Sequence, residues 1–249
     1  MKRKLCRFFI ALIPLTFLCA CGIEDYPYIF PITNIQQISP FEAVVSVNTD
    51  NLSTCFTNYI IFYRIYISAQ SVDATITTPQ QALAISSALS NDIAFFQSFV
   101  NSDTHANTNL ENNFRSRGYK DLQTSTVNMN VVLGQTILTA GNELRFSFAS
   151  GGNPPSMEVS SSGNIYYLWR SNDTGQLGDD NRFFTARSDL LNNPASPGNE
   201  DTAYNTGMPA GPRFAYAALY IVGAGRDPNT YSTAVYSKPS FINVFRLPE

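Results

Sequence analysis

The sequence predicts a mainly β domain interrupted by one helical insertion, and three observations lead there. Aromatic residues, chiefly Phe and Tyr, make up 13 % of the chain while charged residues make up only 14 %, a balance suited to strands, where aromatic and β-branched side chains pack well across the pleat. Several short runs alternate apolar and polar or are apolar throughout, at strand length. One segment, 79–100, instead carries its apolar residues at helical steps.

Residues 41–47 place Ala43, Val45 and Val47 on one side of a strand, and the polar stretch 48–51 supplies a turn. Residues 59–67 are apolar almost without a break, as expected of a central strand covered on both faces. Thr78 is placed to cap a helix, Pro79 suits its first turn and Gln81 completes a capping box. Ile85, Leu89, Ile93, Phe96 and Val100 then follow at steps of four, four, three and four, which aligns them on one helix face. Residues 101–113 read as a polar loop, 114–122 as a short irregular or helical piece, and 127–133 as a strand ending at Gly134. In 143–149, Leu144, Phe146 and Phe148 share a face, and the Gly and Pro of 150–155 end the strand. Residues 165–170 begin another. The stretch 171–212 is rich in Gly, Pro, Asn and Asp, broken only by 182–185; loops of that length inside a domain are usually functional or mobile. Strands are expected again at 214–222 and 240–245, with a loop over 223–231.

Residues 216–225, Tyr-Ala-Ala-Leu-Tyr-Ile-Val-Gly-Ala-Gly, followed by Tyr231-Ser232, Tyr236-Ser237 and Pro239-Ser240, resemble the closing hairpin of a fibronectin type III domain. The resemblance makes 41–47 the second strand and 59–67 the third, with Tyr63 and Tyr66 in its Tyr-rich register. It implies an elaborated fibronectin type III/immunoglobulin-like sandwich in which residues 68 to 212 hold a helical insertion and long loops. The chain departs from the family in lacking its early Trp and in the length of its middle.

The amino terminus has a different logic. Lys2, Arg3, Lys4 and Arg7 precede an apolar run over 8–18 that contains Pro14, too short for the roughly 20 residues that span a bilayer. A basic head, a short apolar core and a small residue before the cut describe a removable export signal. Leu18-Cys19-Ala20-Cys21 resembles the lipobox of a bacterial lipoprotein; an ordinary secretory signal and an uncleaved anchor are the alternatives. The resemblance implies cleavage before Cys21 and attachment of diacylglycerol to its sulfur, so that 1–20 is the signal peptide, 21–34 a lipidated tether and 35–249 a single domain. Gly22 in place of Asp resembles the sorting pattern of outer-membrane lipoproteins, implying a periplasmic or surface-exposed protein anchored to the outer membrane, similar to envelope lipoproteins.

Loss of the signal leaves 229 residues with twelve Lys and Arg against 19 Asp and Glu, a formal charge of −7. That surface argues against nucleic acid as a partner. Only Cys21 and Cys55 remain, and with the first lipidated no internal disulfide forms; Cys55 reads as a small buried hydrophobe or a free thiol.

Catalytic signals are weak. His105 is the single histidine and sits in a polar loop, and no nucleophile elbow, P-loop or paired-Cys motif is present. Asp173-Thr174-Gly175 matches the triplet of aspartic proteases, but its polar approach and the lack of a second copy favour a turn. Asp173, Asp179 and Asp180 are candidate oxygen ligands for a structural calcium; together with Glu200 and Asp201 they are also the carboxylates a hydrolase would need, although solvated loop charge is the plainer reading. No other cofactor is expected. Tyr166, Tyr167, Trp169, Phe183 and Phe184 flank the polar loops. Aromatic rings beside Asn and Asp stack on sugars and anchor protein partners, so Trp169, Tyr167, Phe183 and Asp173 are the candidate ligand-binding residues. The expected function is a non-catalytic, lipid-anchored envelope module binding a protein or glycan. The alternatives are a structural subunit of an envelope assembly and a glycan or peptide hydrolase.

Overall fold

A computed structural model of the chain describes residues 28–100, 109–124, 129–138, 142–149, 154–171, 184–186, 188–192, 194, 200–227 and 233–248. They form a mainly β fold of two six-stranded sheets with a helical insertion. The first sheet contains β1 (Ile35–Ser39), β2 (Glu42–Ser46), β5 (Gln123–Thr124), β6 (Glu143–Ser147), β7 (Ser156–Val159) and β8 (Asn164–Trp169), in the order β1-β2-β6-β7-β8-β5. The second is built on β3 (Phe56–Ser68) and β10 (Phe214–Arg226), 13 residues each, paired antiparallel from Phe214 opposite Ser68 to Gly225 opposite Phe56. On the outer side of β10 lie β11 (Ala234–Tyr236) and β12 (Ser240–Arg246); on the outer side of β3 lie β4 (Lys120–Asp121) and, in parallel, β9 (Thr202–Ala203).

Strand alternation sorts β3 and β10 onto two cores. Tyr59, Ile61, Tyr63, Ile65 and Ile67 of β3, with Ala215, Ala217, Leu219 and Ile221 of β10, pack with Ala43, Val45, Leu144, Phe146, Met157 and Leu168 of the first sheet. The intervening Phe62, Tyr66, Tyr216, Ala218, Tyr220 and Val222 are equally buried beneath helices α2 (Ser87–Val100) and α3 (Leu110–Ser116). The result is three layers, sheet on sheet on helix, and it accounts for the unbroken apolar character of 59–67. Phe114 of α3 stacks between Phe62 at 4.3 Å and Phe96 at 4.0 Å, ring centroid to centroid.

The two sheets are tied together at both flanks. On one, Gln37 Nε2 donates to Ile242 O at 3.0 Å and Asn243 Nδ2 donates to Ser39 O at 2.8 Å, tying β1 to β12. On the other, residues 120–124 leave the second sheet as β4 and enter the first as β5, with Leu122 buried between and its N–H donating to Ile61 O at 2.8 Å. Such links engage part of the edges that could otherwise template pairing with another molecule.

Three expectations are corrected. The helix over 79–100 is two helices, α1 (Pro79–Ala82) and α2, although the Thr78–Gln81 capping box forms and Ile85, Leu89, Ile93 and Phe96 are all buried. Ser86 restarts the helix, its Oγ accepting from the Leu89 N–H at 3.1 Å. Within 127–133, Met129–Val132 is helical (α4), because Met129 and Leu133, four apart, both reach the core while Val131 stays 68 % exposed. Residues 223–226 continue β10 instead of forming a loop. Gly223 and Gly225 there lie under Ile29: a Cβ on Gly225 would meet Cys55 O at 2.2 Å and Ile29 Cδ1 at 2.8 Å. Ile29 and Ile32, in the stretch read as tether, thus belong to the core. Cys55 is half-buried against that core, and burial pushes its thiol pKa up.

One buried carboxylate holds the helical layer in place. Asp92 of α2, 3 % exposed, accepts from Arg64 at 2.8 Å, Arg117 at 2.7 Å and the Tyr66 hydroxyl at 2.6 Å, and Tyr66 in turn meets Tyr119 OH at 2.9 Å. Replacing Asp92 by Ala strands two arginines that are only partly solvated, which should lower stability by about 2–3 kcal/mol in a denaturant titration. Burial, with Asp201 or Asp92 nearby, raises the hydroxyls of Tyr63 and Tyr66 well above 10.0, and burial does the same for Tyr119 and Tyr220. These phenols ionise more easily in the unfolded chain, so their contribution to stability is complete below pH 10 and is lost as pH rises beyond it. Alkaline titration should show a last set of phenolates whose absorbance appears only together with loss of the strand circular-dichroism signal; ionisation of all thirteen tyrosines in a fully folded protein would contradict this.

Candidate functional site

The hairpin β7–β8 positions the aromatic residues singled out in the sequence. Val159 N- and C-terminal neighbours turn through Ser160 to Gly163, where Gly163 adopts φ +64° and donates to Val159 O at 2.9 Å. The strand β8 then alternates. Tyr166 and Leu168 point inward and pack on the core. Ile165, Tyr167 and Trp169 share the opposite, solvent-facing side by strand period, with Ile165 58 % and Tyr167 43 % exposed and Trp169 half-buried. At roughly 7 Å per pair of residues they make an apolar stripe about 14 Å long.

Polar groups flank the stripe in register. Ile165 lies opposite Glu158 and Tyr167 opposite Ser156, while Gln123 of β5 lies opposite Trp169. Beyond β7, Arg145 pairs with Glu158 across the ladder and donates to Glu42 at 2.5 Å. Flat apolar rings bordered by amide, hydroxyl and carboxylate groups can stack on a ligand and hydrogen-bond its rim; nothing in this arrangement activates a nucleophile.

The far end of β8 is pinned by a buried ion pair. Arg170 donates in bidentate fashion to Asp201, Nε to Oδ2 at 2.9 Å and Nη2 to Oδ1 at 2.5 Å, with side chains 8 % and 2 % exposed. The Ser171 N–H donates to Tyr63 OH at 2.8 Å, fastening the same chain to β3. Asp201 is therefore not solvated loop charge. Its carboxylate is committed to Arg170 and is not a free acid or base. Burial of such a pair favours geometry over net stability, and the geometry here sets where Trp169 leaves the core. Sequence alone offered no partner for Arg170, since Asp201 is 31 residues away.

Beneath the hairpin, a cavity of about 320 Å³ opens at the end of the sandwich, lined by Val131, Val132, Thr136, Asn142, Val159 and Tyr166 among others, none of them charged. Asn142 donates through Nδ2 to Ile137 O at 2.9 Å.

Among the described residues no group of three His, Cys, Asp or Glu could hold a metal ion, and no helix is long and apolar enough to cross a membrane. Asp173, Asp179, Asp180, Phe183, His105 and Cys21 lie outside the described residues. Of the candidate ligand-binding residues, the structure places Trp169 and Tyr167 on one face; Ile165, equally part of it, was not singled out because an isolated Ile in a strand carries no chemical signal. Phe184 is instead buried in the core, 4.7 Å from the Tyr63 ring. Comparison with protein-family models, curated proteins and solved structures returned no match.

Removing the Asp201 carboxylate leaves the Arg170 guanidinium buried and unpaired. Asp201→Ala should cost about 3–5 kcal/mol and shift the emission of Trp169, the chain's single Trp. Unchanged emission in a folded variant would show that the pair does not position the stripe.

Proposed function

We propose that this protein is a non-catalytic binding module of the bacterial cell envelope, held by lipid on Cys21 and recognising a protein or glycan through the outer face of β8. The observation that carries this reading is the stripe of exposed Ile165 and Tyr167 and half-buried Trp169, in register beside Glu158, Ser156 and Gln123. Large apolar side chains on a flat sheet face are unfavourable in water and useful when covered. The basic head, short apolar run and Leu18-Cys19-Ala20-Cys21 support the anchor, and Gly22 supports the outer membrane as its site.

The finer fold assignment belongs to the same proposal. In an immunoglobulin-type sandwich the first, second and fifth strands share one sheet and the third, sixth and seventh the other. The adjacency β1-β2-β6 against β3-β10-β12 supports that plan, with β2, β3 and β10 falling where the fibronectin type III resemblance puts its second, third and sixth strands. The hairpin β7–β8, which carries the stripe, is then an addition to the family plan.

A second reading, a structural subunit of an envelope assembly, draws on the same stripe if a second copy covers it. One experiment separates the two. The mature protein, delipidated, is sized by sedimentation and screened against envelope glycans and matrix or envelope proteins. The binding reading expects a monomer with saturable binding to a panel member, weakened about tenfold or more by Tyr167→Ala, equivalent to about 1.4 kcal/mol. A dimer that Tyr167→Ala dissociates favours the assembly reading. A monomer that binds nothing on a broad panel defeats both.

A further inference from the structure

The segment 28–34 is built into the domain. Asn51, 1 % exposed, grips both backbone groups of one residue: its Oδ1 accepts from the Phe30 N–H at 2.8 Å and its Nδ2 donates to Phe30 O at 3.0 Å. Asn51 Nδ2 also donates to Tyr59 OH at 3.2 Å, at the start of β3. Asn48 Nδ2 donates to Pro31 O at 3.0 Å, and Ser240 Oγ donates to Ile32 O at 2.6 Å. Ile29, fully buried, fills the space left by the missing side chains of Gly223 and Gly225 on β10. The backbone of 29–32 is thereby fixed at one end of the sandwich, the end where β3 begins and β10 finishes.

Covalent geometry then sets an orientation. Tyr28 lies seven positions after Cys21, and that length of chain reaches at most about 25 Å even when fully extended. The strand β3, by contrast, is about 40 Å long. With a lipid on Cys21, the Asn51 end of the domain stays within reach of the bilayer, and only the opposite end is free to project. Among the described residues, Leu52 and Val131 are large apolar side chains exposed at the near end. Leu52, 55 % exposed, sits in the 3₁₀ turn Thr49–Ser53 that contains the clamp. Val131, 68 % exposed, sits on α4, which is bonded to the start of β3 by the Tyr59 N–H donating to Leu133 O at 2.9 Å.

We propose that this end, with Leu52 and Val131, is a membrane-facing surface whose occupant is the bilayer that holds the protein's own anchor. The opposite end is presented outward; it carries Tyr204, which follows β9 where that strand runs alongside Ile65 and Tyr66 of β3. This rests on the reading that Cys21 is lipidated. The clamp fixes which end of the domain the attachment enters, so the protein shows its surroundings a defined end.

The test uses the full lipidated protein with Cys55→Ser, carrying an environment-sensitive dye on either Leu52→Cys or Tyr204→Cys. Each is reconstituted in phosphatidylcholine vesicles containing a headgroup-linked quencher. Fluorescence at position 52 should be blue-shifted and severalfold more quenched than at position 204. Adding Asn51→Ala, which releases Phe30, should narrow the difference. Equal quenching at both positions, stronger quenching at 204, or a contrast indifferent to Asn51→Ala overturns the orientation. Mass measurement of residue 21 and vesicle co-sedimentation separate the two possible failures. An unmodified Cys21 and no vesicle binding would remove the anchor and the orientation together, whereas a lipidated, vesicle-bound protein with equal quenching removes the orientation alone.

Discussion

The antiparallel pairing of β3 with β10 is the constraint from which the rest of the molecule is organised. Both strands are covered on both faces, so each contributes to two cores at once. At several positions a large residue on β3 faces a small one on β10. Ala217 lies opposite Ile65 and Ala218 opposite Arg64, while Gly223 lies opposite Tyr59. An interior packed as closely as an organic crystal has few voids, so a small residue there marks a place where another group comes close. The small residues leave room on β10 for what crosses it, above all Ile29.

Around this pair, buried polar groups decide which pieces of chain lie where. Asp92 joins α2 to Arg64 on β3 and to Arg117 beyond α3. Arg170 and Asp201 join the end of β8 to the approach to β9. Asn51 joins the amino-terminal segment to the start of β3. Each is a group that would be costly to bury alone and is satisfied by partners distant in sequence. Apolar burial alone would tolerate several ways of laying helices and loops on a sheet; hydrogen-bonded groups in a dry interior tolerate few. The stripe on β8 and the clamp on Phe30 are two consequences, since one of these joints fixes where β8 emerges and another fixes the backbone of Phe30 beside the start of β3.

Legibility in the sequence followed the strength of the periodic signal. The central strand at 59–67 and the later ones at 143–149, 214–222 and 240–245 were readable because their apolar pattern is long and consistent. The Thr78–Gln81 capping box was readable because capping is a local interaction. The short apolar run 127–133 was misread, as such runs carry no period that distinguishes a strand from a helical turn; only the distance from Met129 and Leu133 to the core separates them. Gly223 and Gly225 signalled a loop, yet they serve a close crossing by Ile29 within a strand. At the candidate site, Tyr167 and Trp169 were identifiable as aromatics beside polar loops, but which way they face was not.

By itself the sequence determined the mainly β class of the domain, its two long strands and the amphipathic face of α2, because each rests on residues near one another along the chain. The tertiary structure alone decided that Ile165, Tyr167 and Trp169 share the outer face of β8, that Asp201 is consumed by Arg170, and that Phe30 is gripped by Asn51. Those outcomes depend on pairs of groups 21 to 31 residues apart or on different sheets. Their meeting is set by which buried partners satisfy one another, a condition that only the folded chain can impose.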